Sequence, residues 1–338
     1  MRRSIRTGSV VLVAAGALLA GCASETKEEL GADSAAASPT QPALDECAVA
    51  PTAGVQAANV TVNGLDYPTE IHQPAGRSAA PVAALIDLHG LDSDGPTQAA
   101  LTRFRELADR EGFVVAEPSG SVGPLGVTGW EIAALDEPGR GTGRDDLSAM
   151  DQLIDKLVDD ECVDPDRVFV AGYSMGGFLA AELACSPGSR VAGILAVAGF
   201  HAPEPCERHV PTLVVHGTAD PIVPLGPNGT SLVVDDTMPQ AARELLASSI
   251  EQEVATSARG ADCDDAPTST ELADDVTELR YTGCAGGAEH RLVLVEGGGH
   301  TWPGAAPAAD ADFVGATTTN FDATEASWDF FASHSGRP

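Results

Sequence analysis

Lysine is nearly absent from this chain. Only Lys27 and Lys156 occur in 338 residues, and 19 Lys+Arg stand against 50 Asp+Glu, a formal net charge of −31. So acidic a surface offers no footprint for a phosphate backbone or an anionic lipid face, which excludes nucleic acid and charge-driven membrane docking as partners. What it does supply is a solvating shell that keeps an exported protein dispersed. No C-x-x-C pair occurs, so the cysteine spacing carries no zinc motif, and neither metal nor cofactor is expected. No internal repeat is visible. The apolar run at 10–20 is too short to span a bilayer comfortably.

That short run belongs to a leader. Arg2, Arg3 and Arg6 precede it, and Leu19-Ala20-Gly21-Cys22 follows in the pattern of a bacterial lipobox. The expectation is a lipoprotein signal peptide over 1–21, with the Cys22 thiol acylated as the mature N-terminus; the alternative is an ordinary secretory signal with a chance cysteine. Residues 22–45 are rich in Ser, Ala, Glu, Thr and Pro and cannot bury enough surface to fold, which predicts a flexible tether. Residues 46–338 suit one large α/β catalytic domain. Setting Cys22 aside leaves Cys47, Cys162, Cys185, Cys206, Cys263 and Cys284, an even set that fits an oxidising, extracytoplasmic compartment. Their connectivity stays open: Cys263 with Cys284 and Cys185 with Cys206 are the nearest in sequence, which would leave Cys47 with Cys162.

Across the folded part, strand-like and helix-like segments alternate, the signature of a mostly parallel sheet covered on both faces. Residues 58–62 and 67–72, around Asn63-Gly64, read as a hairpin. Strands are expected at 82–88, 113–116, 167–171, 194–198, 212–216 and 292–295, about eight in all. Helices are expected at 98–111, 147–158, 177–185 and 239–258. After the strand 167–171 comes Gly172-Tyr173-Ser174-Met175-Gly176-Gly177, a sharp strand-to-helix turn presenting one serine. This is the nucleophile elbow of the α/β-hydrolase architecture. Counting strands, Ser174 follows the fifth, Asp220 the seventh and His300 the eighth, the order serine, acid, histidine that this fold uses.

A serine hydroxyl attacks poorly unless a base within hydrogen-bond reach takes its proton and a carboxylate orients that base. Downstream imidazoles are His201, His209, His216, His290, His300 and His334. His216 falls inside a strand and His334 near the end, whereas His300 follows Gly297-Gly298-Gly299, a loop able to place an imidazole over the sheet edge. For the acid, Asp220 follows His216-Gly217-Thr218-Ala219 and is braced by Pro221; Asp235 and Asp236 are the competitors, most simply a solvated pair. Two backbone amides are expected to form the oxyanion hole, that of Met175 and one after His89-Gly90, taken as Leu91. His89 itself is read as bracing that loop.

Four blocks together resemble the secreted esterases of the polyhydroxybutyrate depolymerase and feruloyl esterase type, close to carbohydrate esterase family 1 and including actinobacterial lipoprotein esterases. They are Leu88-His89-Gly90, the elbow, His216-Gly217-Thr218-Ala219-Asp220-Pro221, and Gly297-Gly298-Gly299-His300-Thr301-Trp302-Pro303-Gly304. Cys162-Val163-Asp164-Pro165-Asp166-Arg167-Val168 matches too, and the likeness spans roughly residues 61–301. The chain departs from the family where Leu91-Asp92-Ser93 follows His-Gly in place of a further small residue. The resemblance implies a metal-free serine esterase acting on small-molecule or polymeric esters, polyhydroxyalkanoate-type or hydroxycinnamoyl and acetyl sugar esters; a monomer is expected. Its triad would fall on Ser174, Asp220 and His300. Trp302, beside the base, and Trp130, on the long loop, become candidates for lining the substrate pocket, with plain packing as the alternative. An acyltransferase, a serine peptidase or a non-catalytic surface lipoprotein on the same scaffold are the rival functions.

Overall fold

The computed structural model describes residue 47 and residues 52–334, except 78–79, 123–125, 134–143, 227–230, 232–239, 247 and 309. Leu44–Pro338 cluster as one compact unit. The expected signal peptide, Cys22 and nearly all of the tether fall in the other unit, Met1–Ala43, and lie outside the described residues, as do Asp235 and Asp236.

The chain opens on a hairpin, β1 (Gly54–Val62) and β2 (Leu65–Gln73), whose turn residues Asn63 and Gly64 have φ of 53° and 80°. Two positive φ angles make the primed turn whose twist suits the flanking strands, and Asn-Gly adopts it most readily. The succession continues with β3 (Val82–Leu88), α1 (Gly95–Thr102), α2 (Phe104–Glu111), β4 (Val114–Pro118), α3 (Asp146–Glu161), β5 (Val163–Tyr173) and α4 (Met175–Cys185). It then runs through β6 (Val191–Val197), β7 (Thr212–Gly217), α5 (Gln240–Leu246), α6 (Ile250–Gly260), β8 (Thr268–Ala273) and β9 (Val276–Tyr281). Last come β10 (His290–Val295), α7 (Ala311–Val314) and α8 (Ala323–His334).

The strands form one sheet in the order β1-β2-β4-β3-β5-β6-β7-β10-β9-β8. Its centre, from β4 through β3, β5, β6 and β7 to β10, is parallel, and the flanking pairs are antiparallel. Strands buried on both faces read as continuous apolar runs, because successive side chains enter opposite cores. In β3, Ala84, Ile86 and Leu88 join the core under α3, α4 and α6, while Ala83 and Leu85 join that under α2 and α8. In β5, Val168 and Val170 face the first core, and Phe169 and Ala171 the second.

Three expectations needed correction. The sheet has ten strands among the described residues rather than about eight, because the hairpin of β8 and β9 went unread. β8 is Thr-Ser-Thr-Glu-Leu-Ala at the solvated sheet edge, so no buried face imprints an apolar pattern on it. The helix expected over 98–111 breaks at Arg103, which takes the left-handed φ of 58°. That expected over 239–258 divides into α5 and α6, the second capped by Ser249 accepting from the Gln252 amide. Helix α8 was also missed. The cysteines pair as Cys47–Cys162, Cys185–Cys206 and Cys263–Cys284.

A buried polar cluster lies under α1. Asp87 of β3 accepts from Gln98 Nε2 at 2.8 Å and bonds Thr102 Oγ1 at 2.6 Å. Burial, the largest influence, pushes its carboxyl up to about 8, against the opposing pull of those two bonds. An unfolded aspartate titrates near about 3.9, so between these values the folded chain holds a proton the unfolded chain has lost. The stability contributed by this group is therefore full below about pH 4, is lost progressively as pH rises towards about 8, and falls no further above it. Asp87→Asn keeps both partners, since its amide oxygen accepts from Gln98 and its N–H can donate to Thr102 Oγ1, which donates in turn to the Gln98 carbonyl at 3.1 Å. Its Tm relative to wild type is expected to rise with pH between about pH 5 and 8. Thermal melts check this, and parallel curves for the two proteins would count against a neutral Asp87.

Candidate active site

β5 delivers Ser174 at the carboxyl edge of the sheet. The serine has φ 54° and ψ −116°, a strained conformation for a residue with a Cβ, and α4 begins at the next residue. Its amide donates to the Val197 carbonyl at 2.8 Å and its carbonyl accepts from the Gly177 amide at 2.9 Å, so both neighbours over-determine the turn. The tightness of the elbow explains the flanking glycines. A Cβ on Gly172 would lie 2.1 Å from the Gly176 carbonyl oxygen, and one on Gly176 would lie 2.2 Å from that of Leu88.

The acid and the base arrive together because β7 and β10 are parallel neighbours, with Gly217 in register with Val295. The loops beyond them are laced: the Thr218 amide donates to the Val295 carbonyl at 2.9 Å, the Ala219 amide to that of Gly298 at 2.9 Å, and the Gly297 amide to Thr218 Oγ1 at 2.9 Å. On the far side, the His300 amide donates to the Val314 carbonyl at 2.6 Å. Asp220 Oδ1 accepts from the Ile222 and Val223 amides, both at 2.8 Å, which turns Oδ2 towards His300 Nδ1, also at 2.8 Å. His300 Nε2 then lies 2.8 Å from Ser174 Oγ. A carboxylate only accepts, so the Nδ1 proton points at Asp220 and the Nε2 lone pair at the hydroxyl. Such an arrangement can draw a proton from Ser174 and hold the resulting imidazolium.

Of the other imidazoles, His216 lies beneath Asp220 and donates from Nε2 to the Val223 carbonyl at 2.8 Å; burial holds it below the ordinary histidine value. His201 sits 3.5 Å from Glu182, His290 lies in β10 beside His209, and His334 ends α8. None of these reaches Ser174.

The loop after β3 closes the site from the other side, where a Cβ on Gly90 would lie 3.3 Å from Ser174 Cβ. Among the described residues, neither the Met175 amide, at the first turn of α4, nor the Leu91 amide has a hydrogen-bond partner. His89 braces this loop. Its Nδ1 donates to the Gly90 carbonyl at 2.7 Å and its Nε2 accepts from the Gly120 amide at 2.8 Å, a neutral tautomer consistent with burial pushing its proton affinity down. Trp130, a candidate for pocket lining or for plain packing, lies tilted against the His89 ring at 4.7 Å and donates Nε1–H to the His89 carbonyl at 2.7 Å. Trp302 is likewise buried, packing edge-on against Phe104 and donating to Thr324 Oγ1 at 3.0 Å. At 2% and 1% exposure, with both indole N–H groups satisfied, these rings are framework rather than pocket wall. Sequence reasoning passed over Tyr173, whose hydroxyl donates to the His300 carbonyl at 2.7 Å; its place beside the serine was the available signal. No group of three or more His, Cys, Asp or Glu among the described residues is placed to hold a metal.

An elbow serine facing an imidazole and a carboxylate at the ends of adjacent parallel strands is the arrangement of the α/β-hydrolase fold. The family model for phospholipases and carboxylesterases matches residues 70–232. The chain is 32% identical over 158 residues to the bifunctional acetylxylan esterase/xylanase XynS20E of Neocallimastix patriciarum, a match covering 46% of this chain and 22% of that protein. It is 28% identical over 291 residues to the putative esterase NocK of Nocardia uniformis subsp. tsuyamanensis, covering 81% of each. The chain thus spans about a fifth of the length of the first relative and four fifths of the second. Among solved structures, an acetyl xylan esterase from Aspergillus awamori superposes with a TM-score of 0.51 at 14% identity, over 73% of this chain and 94% of that one.

Proposed function

We propose that this chain is an extracytoplasmic serine esterase that cleaves carboxylic esters through an acyl-enzyme on Ser174. Ser174 attacks the ester carbonyl while His300 takes its proton, and the Met175 and Leu91 amides receive the developing oxyanion. His300 returns the proton to the leaving alcohol, then activates a water that releases the acid, with Asp220 holding the imidazole tautomer throughout. The observation that carries this reading is the continuous relay from Ser174 Oγ to His300 to Asp220, each link 2.8 Å, on a strained elbow. Acetyl or hydroxycinnamoyl sugar esters are the substrate class we favour, a choice supported by relatives named an acetylxylan esterase and, at 26% identity over 67% of this chain, a feruloyl esterase of Piromyces equi; polyhydroxyalkanoate-type esters are the alternative acyl class.

A fluorophosphonate probe tests the nucleophile: wild type is expected to label and Ser174→Ala not, and equal labelling of both would remove Ser174 from the reaction. A panel of acetyl, butyryl, hydroxycinnamoyl and hydroxybutyrate-oligomer esters then ranks substrates. Transfer to an added alcohol, or amide cleavage at a matching rate, would replace hydrolysis of esters as the reading. For location, the three disulfides favour an oxidising compartment. Cys22→Ala is expected to move the protein from the membrane fraction to the soluble fraction; an unchanged distribution would rule out the lipid anchor.

A further inference from the structure

Tyr173 is the last residue of β5 and the covalent neighbour of Ser174. Its hydroxyl donates to the main-chain carbonyl of His300 at 2.7 Å, 127 residues away in the chain. Among the described residues this is the one hydrogen bond that carbonyl accepts. The base needs such a tie. His300 follows three consecutive glycines, a backbone with more freedom than any other to drift, and the distance to Ser174 Oγ must hold at 2.8 Å. On the amide side His300 is held by Val314, which leaves its carbonyl side to Tyr173. The phenol suits the task. It is half-buried, its ring lies 5.3 Å from the His300 ring and 6.5 Å edge-on from Trp302, and desolvation, aided by Asp220 and Asp310, raises its ionisation far above the ordinary range, so it remains a donor.

We propose that Tyr173 is a positioning residue for catalysis, coupling the nucleophile elbow to the loop that carries the base so that Ser174 and His300 move as one unit. The inference rests on the esterase reading above. A misplacement of about 1 Å between reacting groups can cost on the order of a hundredfold in rate, and loss of one of two main-chain ties, with the bond from Nδ1 to Asp220 kept, should cost less.

Tyr173→Phe in the full chain removes the hydroxyl and keeps the ring and its packing. The expected result is a kcat about tenfold lower with KM within about twofold. Fluorophosphonate capture per folded molecule should slow in the same proportion, the titratable site count should stay at the wild-type value, and Tm should fall by only a few degrees. A purely structural role would lower Tm and the site count while leaving kcat per titrated site unchanged, and that outcome overturns the proposal. So does a kcat within twofold of wild type at a full site count. Wild type that labels and turns over while the variant matches it sinks this inference alone; wild type that does neither sinks the esterase reading and this one with it.

Discussion

Ser174→Ala is expected to lower kcat by about 10⁴–10⁶-fold while leaving the protein folded. The substitution deletes one oxygen, hydrogen-bonded to His300 Nε2, so it opens no cavity in the core and leaves the bond between His300 and Asp220 in place. The backbone strain at φ 54° stays, because alanine carries the same Cβ, and the amides that hold the turn are main-chain groups untouched by the change. The amides of Met175 and Leu91 also remain, so any residual rate reflects substrate binding and polarisation without covalent capture. Turnover on the best ester of the panel, beside a thermal melt, measures both halves of the expectation. A variant that kept more than about one per cent of wild-type kcat would show that another group attacks the ester.

Asp220→Asn is expected to cost about 10³–10⁴-fold in kcat/KM, through the tautomer of the base rather than through lost packing. The reason lies in how the carboxylate is held. Asp220 Oδ1 accepts two main-chain N–H groups, from Ile222 and Val223, at 2.8 Å each. An amide at this position must leave its oxygen with those donors and turn its NH₂ towards His300 Nδ1. The imidazole answers by placing its proton on Nε2, which then points a donor at Ser174 and can no longer take the hydroxyl proton. Shape and burial are conserved, so Tm should move by no more than a few degrees. Steady-state kinetics settle it: a loss smaller than tenfold would mean that Asp220 does not orient the base.

Much of this site was legible before any coordinate, for a reason particular to these segments. The elbow, the loop from His216 to Pro221 and the run from Gly297 to His300 are places where the backbone must turn sharply or approach another chain segment closely. Residue choice there is narrow, as the 2.1 Å approach at Gly172 illustrates. The central strands were legible because both of their faces are buried. Other features left no such trace. β8 is exposed up to its last residue, Arg103 breaks a helix in a sequence that suits one, and the indoles of Trp130 and Trp302 gave no hint of which way they turn. Nearness to His300 in the sequence suggested a pocket for Trp302, yet the chain turns that ring inward onto Phe104 and Thr324.

From residue order alone came the architecture, the compartment suggested by an even set of cysteines, and the candidates for nucleophile, acid and base, because local backbone geometry and hydrophobic period are written into neighbouring residues. Only the tertiary structure decided which histidine meets Ser174, which oxygen of Asp220 faces it, and that His89, Trp130 and Tyr173 serve the site from behind. Those outcomes depend on contacts between segments far apart in the chain, 41 residues between Trp130 and His89, 80 between Asp220 and His300 and 127 between Tyr173 and His300, and are set by strand order and pleat rather than by any local pattern.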